Sequence, residues 1–173
     1  MQARIALPDD ATLSPEQRAV RDQILATRGN LDGPFLAWLH SPGLAQPAQA
    51  LGAHCRYHSG LSLQASELLI LCVADALDCE AERLIHSPIA LRAGVPPEAV
   101  AALARHEAPV LADPGLALLH ELASSLLRQH RWPDALYARA RAHWSERELV
   151  EIAGIIGYYS LVAMTLNAFE MRP

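Results

Sequence analysis

Cysteine is scarce in this chain of 173 residues. Cys55, Cys72 and Cys79 form no C-x-x-C pair and no even framework, so free thiols in a reducing cytoplasm are the simpler reading. Charge is sparse too, with 19% charged against 51% hydrophobic residues, a balance that excludes disorder and fits a packed globular protein. The net charge of −5 is mild, and no basic cluster, aromatic platform or zinc-finger spacing occurs, which argues against a nucleic-acid partner. The opening "MQARIALPDD" has no apolar run of signal-peptide length, so the expected location is cytoplasmic. Also missing is any alternating β-branched run of strand length.

What is present reads helical throughout, rich in Ala and Leu, and predicts a compact, all-α, multi-helix domain. Ser14-Pro15-Glu16-Gln17 is a capping box with Pro at the first helical position, closed by Gly29. A short helix is expected from Pro34, then helices over about 44–58, 63–77 and 79–93, the last stopped by Gly94. Pro96-Pro97, Asp113-Pro114 and Pro133 open three more, and the capping box Ser145-Glu146-Arg147-Glu148 opens a long final helix. Within that helix, residues 152–169 carry no formal charge. Ser160, Thr165 and Asn167 interrupt the run and no basic cluster flanks it, so burial in a core or between subunits is preferred over a membrane span. The Gly154/Gly157 pair suits close helix packing, and a homo-oligomer is expected.

The stretch "DCEAERLIHSP" (78–88) holds Cys79, Glu82 and His86 at spacings of three and four, one stripe on a helix. Pro88 should bend that helix beside the stripe. In the preceding, mostly apolar helix, Glu67 shares a face with Leu63, Ile70, Leu71 and Ala74. A carboxylate there is costly to ionise unless paired. If Glu67 meets Glu82 and His86, two carboxyl groups and an imidazole share one low-dielectric space and supply an acid and a base at neutral pH. The bland alternatives are a structural ion pair from Glu67 to Arg56 or Arg83, and a solvated contact between Glu82 and His86.

Four segments, 33–45, 56–71, 79–95 and 155–169, make the chain resemble the carboxymuconolactone decarboxylase family, which includes the alkylhydroperoxidase D branch. The resemblance implies the fold of that family, as one domain over 1–173. A helical N-terminal part would cover about 1–45, the family core about 46–130, and C-terminal helices about 131–173. Glu67 matches the family's relay Glu, Cys79 the first Cys of the peroxidase C-x-x-C-x-x-x-H run, and His86 its His. Glu82 stands where that branch carries the attacking Cys, so a local disulfide mechanism is unavailable. A Glu four residues before the His resembles the decarboxylase-like branch, associated with loss of CO2 from a small carboxylated lactone in aromatic degradation. Ala81 and Arg83 stand where relatives often have aromatic residues, which changes the pocket wall.

The resemblance implies a small-molecule substrate, no metal and no organic cofactor. His86 would act as general acid or orienter, Glu82 as its acid/base partner, Glu67 as the relay and Cys79 as a lining residue or bystander. Three other readings stand beside this one. Cys79 at a helix start could act as a one-cysteine peroxidase, because a helix N-terminus lowers a thiol pKa. His54 and His58 form half of a zinc site. A non-enzymatic binding module would leave Glu67, Glu82 and His86 splayed into solvent. Tyr158 and Tyr159 are possible pocket walls.

Overall fold

A computed structural model describes residues 3–172 of the chain. The described residues hold nine α-helices and no strand: α1 (Pro15–Arg28), α2 (Phe35–Trp38), α3 (Pro42–Ala53), α4 (Leu63–Ala76), α5 (Glu80–Arg92), α6 (Pro97–Ala104), α7 (Pro114–Gln129), α8 (Asp134–His143) and α9 (Glu146–Ala168). Both expected capping boxes are made. Ser14 and Gln17 satisfy each other's backbone N–H at the start of α1, as Ser145 and Glu148 do for α9. Gly29 closes α1 in the left-handed conformation at φ 77°, where a side chain would be strained.

The sequence predicts one helix over about 44–58. The chain instead runs as α3 to Ala53 and widens into a single π-helical turn over His54–His58. Such turns are rare and recur at functional sites because they redirect side chains without ending the helix. Pro88 does not break α5, which continues as helix to Arg92.

Helix α4 sits at the centre, packed by α5, α7 and α9. Every residue from Ser66 to Ala74 is buried. Leu63, expected on the buried stripe, is 52% exposed because it lies in the first turn, outside the contact with neighbouring helices. One hydrophobic cluster draws on α1 through α9, including Ile24, Leu69, Leu122 and Ile155.

A Schellman motif joins α4 to α5. The Cys79 N–H donates to the Ala74 carbonyl at 2.8 Å and the Asp78 N–H to the Asp75 carbonyl at 3.1 Å. Asp78 holds φ 46°, the position usually given to Gly. The turn folds the two helices into a hairpin, and residues at similar distances from it fall at the same height. Glu67 and His86 lie almost symmetrically about Leu77, which is why a separation of 19 residues becomes a contact.

Helix α9 has the length and composition of a membrane span, with a mean hydropathy of 1.7 over its most apolar window. More than half of that window is buried inside the molecule, as expected for a core helix.

Candidate active site

Glu67 on α4 and His86 on α5 are among the most deeply buried residues of the chain, at 1% and 2% exposure. Glu67 Oε2 lies 2.7 Å from His86 Nδ1, the length of a charge-assisted hydrogen bond. With the Glu67 carboxylate accepting from Nδ1–H, the lone pair of a neutral imidazole falls on Nε2. Glu82, one turn earlier on α5, places Oε2 3.5 Å from that Nε2. The three side chains form one cluster buried from solvent, the meeting that the sequence leaves conditional, so the Glu82–His86 contact is not a solvated one and the side chains are not splayed outward.

Cys79 departs from the expectation. It is the N-cap of α5 and fully buried. It is not among the residues lining the cavity onto which Glu82 and His86 open. Its thiol pKa is raised: burial is the largest influence and outweighs the backbone N–H groups of Glu82 and Ala81 at the helix start, which act the other way. The lowering expected from the helix terminus alone is therefore overturned. Cys55 and Cys72 are likewise buried, pushed up by burial to about 11 and about 12.

Burial is also the largest influence on Glu82, and its carboxyl is raised above the ordinary value. His86, Arg56 and Arg28 oppose this, and Glu67 reinforces it. Glu82 Oε2 is buried without a hydrogen-bond partner. A carboxyl in this state is poised to give up a proton to a group entering the cavity.

That cavity has a volume of about 140 Å³ and is lined by Arg28, Arg56, Glu82, His86, Tyr158 and Tyr159, with Phe35, Ile85 and Val162 among its apolar wall. The π-helical turn presents Arg56, whose Nη1 lies 3.4 Å from His86 Nε2. Tyr159 packs edge-on against the His86 ring, with centroids 5.4 Å apart, and Tyr158 packs edge-on against Tyr159 at 5.2 Å. Burial raises the Tyr158 hydroxyl to about 12, with Arg28 pulling the other way. The two tyrosines are therefore walls of the cavity, as the sequence allowed.

Arg56 faces His86 and contributes to the field at Glu67, but forms no salt bridge with it. Arg83 turns away to the Ala74 carbonyl and Asp78, so it is not a partner of Glu67. Arg28 was not singled out from the sequence. It occupies the last turn of α1, where a basic residue suits the helix dipole, so its position carries an ordinary explanation and no signal of a site.

His54 Nε2 lies 3.7 Å from Glu151 Oε1. Among the described residues no group of three or more His, Cys, Asp or Glu side chains is arranged to hold a metal ion.

The fold and cavity together define an all-α protein with a buried carboxylate–imidazole–carboxylate cluster open to a small-molecule-sized space. Residues 42–124 match the model of the carboxymuconolactone decarboxylase family. Among solved structures, the chain is similar to an uncharacterised peroxidase-related protein from Ralstonia eutropha described as an alkylhydroperoxidase AhpD core. The TM-score is 0.80 and the identity 20%, over 99% of this chain and 92% of that one. An uncharacterised peroxidase-related protein from Silicibacter gives a TM-score of 0.79 at 16% identity, over 99% and 91%. A protein of unknown function from Agrobacterium tumefaciens gives 0.68 at 20% identity, over 82% and 99%. At these identities the likeness establishes the alkylhydroperoxidase-type fold. A search of curated proteins gives no match.

Proposed function

We propose that the protein is a cofactor-free acid/base enzyme that decarboxylates a small carboxylated lactone or keto acid. The observation that carries this reading is Glu82, a buried carboxyl whose Oε2 has no hydrogen-bond partner, raised above its ordinary pKa and set beside His86 in the cavity. In the reaction, the bond between the substrate and its carboxyl carbon breaks and CO2 leaves. The electron pair moves into the conjugated carbonyl as a dienolate. Glu82 then delivers its proton to carbon and is reprotonated from solvent. His86 Nε2 faces the same space, and Glu67 holds the ring so that Nδ1–H is engaged and Nε2 is turned toward Arg56 and Glu82. Arg56 adds a fixed positive charge where the dienolate oxygen gathers charge.

A peroxidase based on Cys79 is less well supported. Its thiol is fully buried, raised by burial and outside the cavity lining. One experiment separates the two activities: wild type, Glu82→Gln and His86→Ala are assayed on small carboxylated lactones and β-keto acids, and Cys79 oxidation by peroxide is followed by mass. Decarboxylation that both variants lose by about 10²-fold or more supports the acid/base role. Unchanged turnover in both variants, or Cys79 oxidising far faster than an ordinary thiol, removes it.

The reading includes a homo-oligomer. Val150, Leu161 and Met164 are solvent-exposed on α9 and fall, with the exposed Gly154 and Gly157, at alternating spacings of four and three. That is the spacing of a helix–helix seam, and the two glycines permit close approach. Sedimentation of wild type and Met164→Glu tests it: a smaller species in the variant is expected, and a monomeric wild type refutes it.

A further inference from the structure

Two arginines enter the cavity, and the structure records no salt bridge for either among the described residues. Arg56 comes from the π-helical turn and Arg28 from the end of α1, outside the family-matching segment. Arg28 is held firmly. Its guanidinium stacks 4.7 Å above the Phe35 ring. It also crowds Gly52: a Cβ there would lie 2.7 Å from Arg28 Nη2 and would collide with the Tyr158 hydroxyl. A backbone without a side chain is what lets Arg28 and Tyr158 share this corner.

The donors left over are informative. Arg28 Nε and Nη2 are both buried and both without a hydrogen-bond partner. These two N–H groups lie on the same edge of the guanidinium plane, the edge that takes both oxygens of a carboxylate side by side. Two buried N–H donors left without acceptors carry a desolvation cost, which an anion in the cavity would offset. The charges facing the space lean the same way. Arg28 and Arg56 are positive, Glu82 is shifted toward its neutral form, and Glu67 is engaged with His86. Asp32 stands exposed at the rim.

We infer that Arg28, with Arg56 beside it, forms a carboxylate-binding subsite in the cavity, and that Arg28 is the residue by which the protein selects anionic ring compounds over neutral ones. The inference rests on the cavity's being the substrate site of the proposed reaction. Within that reaction the subsite has a definite place. An arginine fixed on the departing carboxylate would stabilise the ground state more than the transition state, because CO2 is neutral. Arg28 therefore serves an anionic group that persists through the reaction, and it binds product as well as substrate.

The test is calorimetric titration with 2-furoate, its neutral amide furan-2-carboxamide and inorganic phosphate. The proteins are wild type, Arg28→Gln, Arg28→Lys and Glu82→Gln, each first shown to be folded by its thermal melt. Wild type is expected to bind furoate at least tenfold more tightly than the amide or phosphate. Arg28→Gln should erase that preference while keeping amide binding, and Arg28→Lys should restore part of it, since one ammonium cannot fill a two-oxygen fork. Glu82→Gln should keep furoate binding while losing turnover. Equal affinity of wild type for furoate and amide, tighter binding of phosphate, or a furoate preference intact in Arg28→Gln overturns the subsite. Furoate binding through Arg28 with no decarboxylation of any lactone or keto acid would refute the catalytic reading and leave the subsite standing.

Discussion

Two histidine–carboxylate pairs are anchored on the same central helix and have the same length. His86 Nδ1 lies 2.7 Å from Glu67, and His106 Nδ1 lies 2.7 Å from Asp75. Their surroundings differ. The first pair is 2% and 1% exposed in its side chains, the second 51% and 16%. The first opens onto a cavity with two arginines. The second sits at the C-terminal end of α4 near Asp78, whose Oδ1 is 3.6 Å from His106 Nε2. Distance alone therefore says little about what a pair can do. Low dielectric makes the inner pair a device for holding and directing a proton, and water makes the outer one a weak surface contact.

The largest break in this comparison should come from Glu67→Ala. It leaves His86 Nδ1 buried without its acceptor and the ring free to turn. A loss of about 1–3 kcal/mol in unfolding free energy is expected from the orphaned donor. Turnover should fall by about 10²-fold or more as the orientation of Nε2 is lost. Denaturant titration and steady-state assay of the same preparation measure both. A variant as stable and as active as wild type would place the inner pair in the class of the outer one.

Next in size is Gly52→Ala. The added methyl meets the Tyr158 hydroxyl and Arg28 Nη2, so the wall must shift, at a cost of about 1–3 kcal/mol. The melting temperature should drop and furoate affinity fall together. A stable variant with wild-type affinity would show that the corner is loosely packed.

The pH dependence of Glu82 follows from its raised pKa in the folded state. Above its ordinary pKa the unfolded chain releases this proton while the folded one keeps it. The contribution to stability is therefore full below the ordinary carboxylate value and is lost as pH rises toward the folded value. Catalysis that uses the protonated form runs in the same direction, failing on the alkaline side. Glu82→Gln should flatten this part of the stability-versus-pH curve. A curve that keeps its slope in the variant assigns the effect to another group.

Much of this contrast was legible in the sequence, for reasons particular residues make clear. Helix starts were readable because Ser14 and Ser145 act within three residues of themselves. The Glu67–Glu82–His86 cluster was readable because a hairpin with a tight turn converts sequence spacing into height along two helices. Arg28 was not, because a basic residue ending a helix already has a local explanation, and its approach to the cavity depends on the path of 29–34 and the small Gly52. The one-cysteine alternative at Cys79 rests on a related partial view: the helix-terminus effect on a thiol is local and visible, whereas the burial that outweighs it is tertiary. The widened turn at 54–58 also escaped, since its residues read as an ordinary helix end.

The smallest effect should belong to His106→Ala. His106 holds φ 59°, a left-handed position at the end of α6, so the substitution removes the side chain's bond to Asp75 and puts Ala where φ is unfavourable. The ion pair, half in water, contributes within about 1 kcal/mol, and salt should erase most of it. His106→Gly separates the two terms, because Gly accepts the backbone angle and lacks only the imidazole. The expectation is that His106→Gly stays within about 0.5–1 kcal/mol of wild type and leaves turnover unchanged. The measurement is the unfolding free energy at low and at high salt for wild type and both variants. A loss in His106→Gly as large as that in Glu67→Ala, persisting at high salt, would mean that exposure does not set the value of such a pair in this protein. The inner cluster would then lose its main claim to be a site.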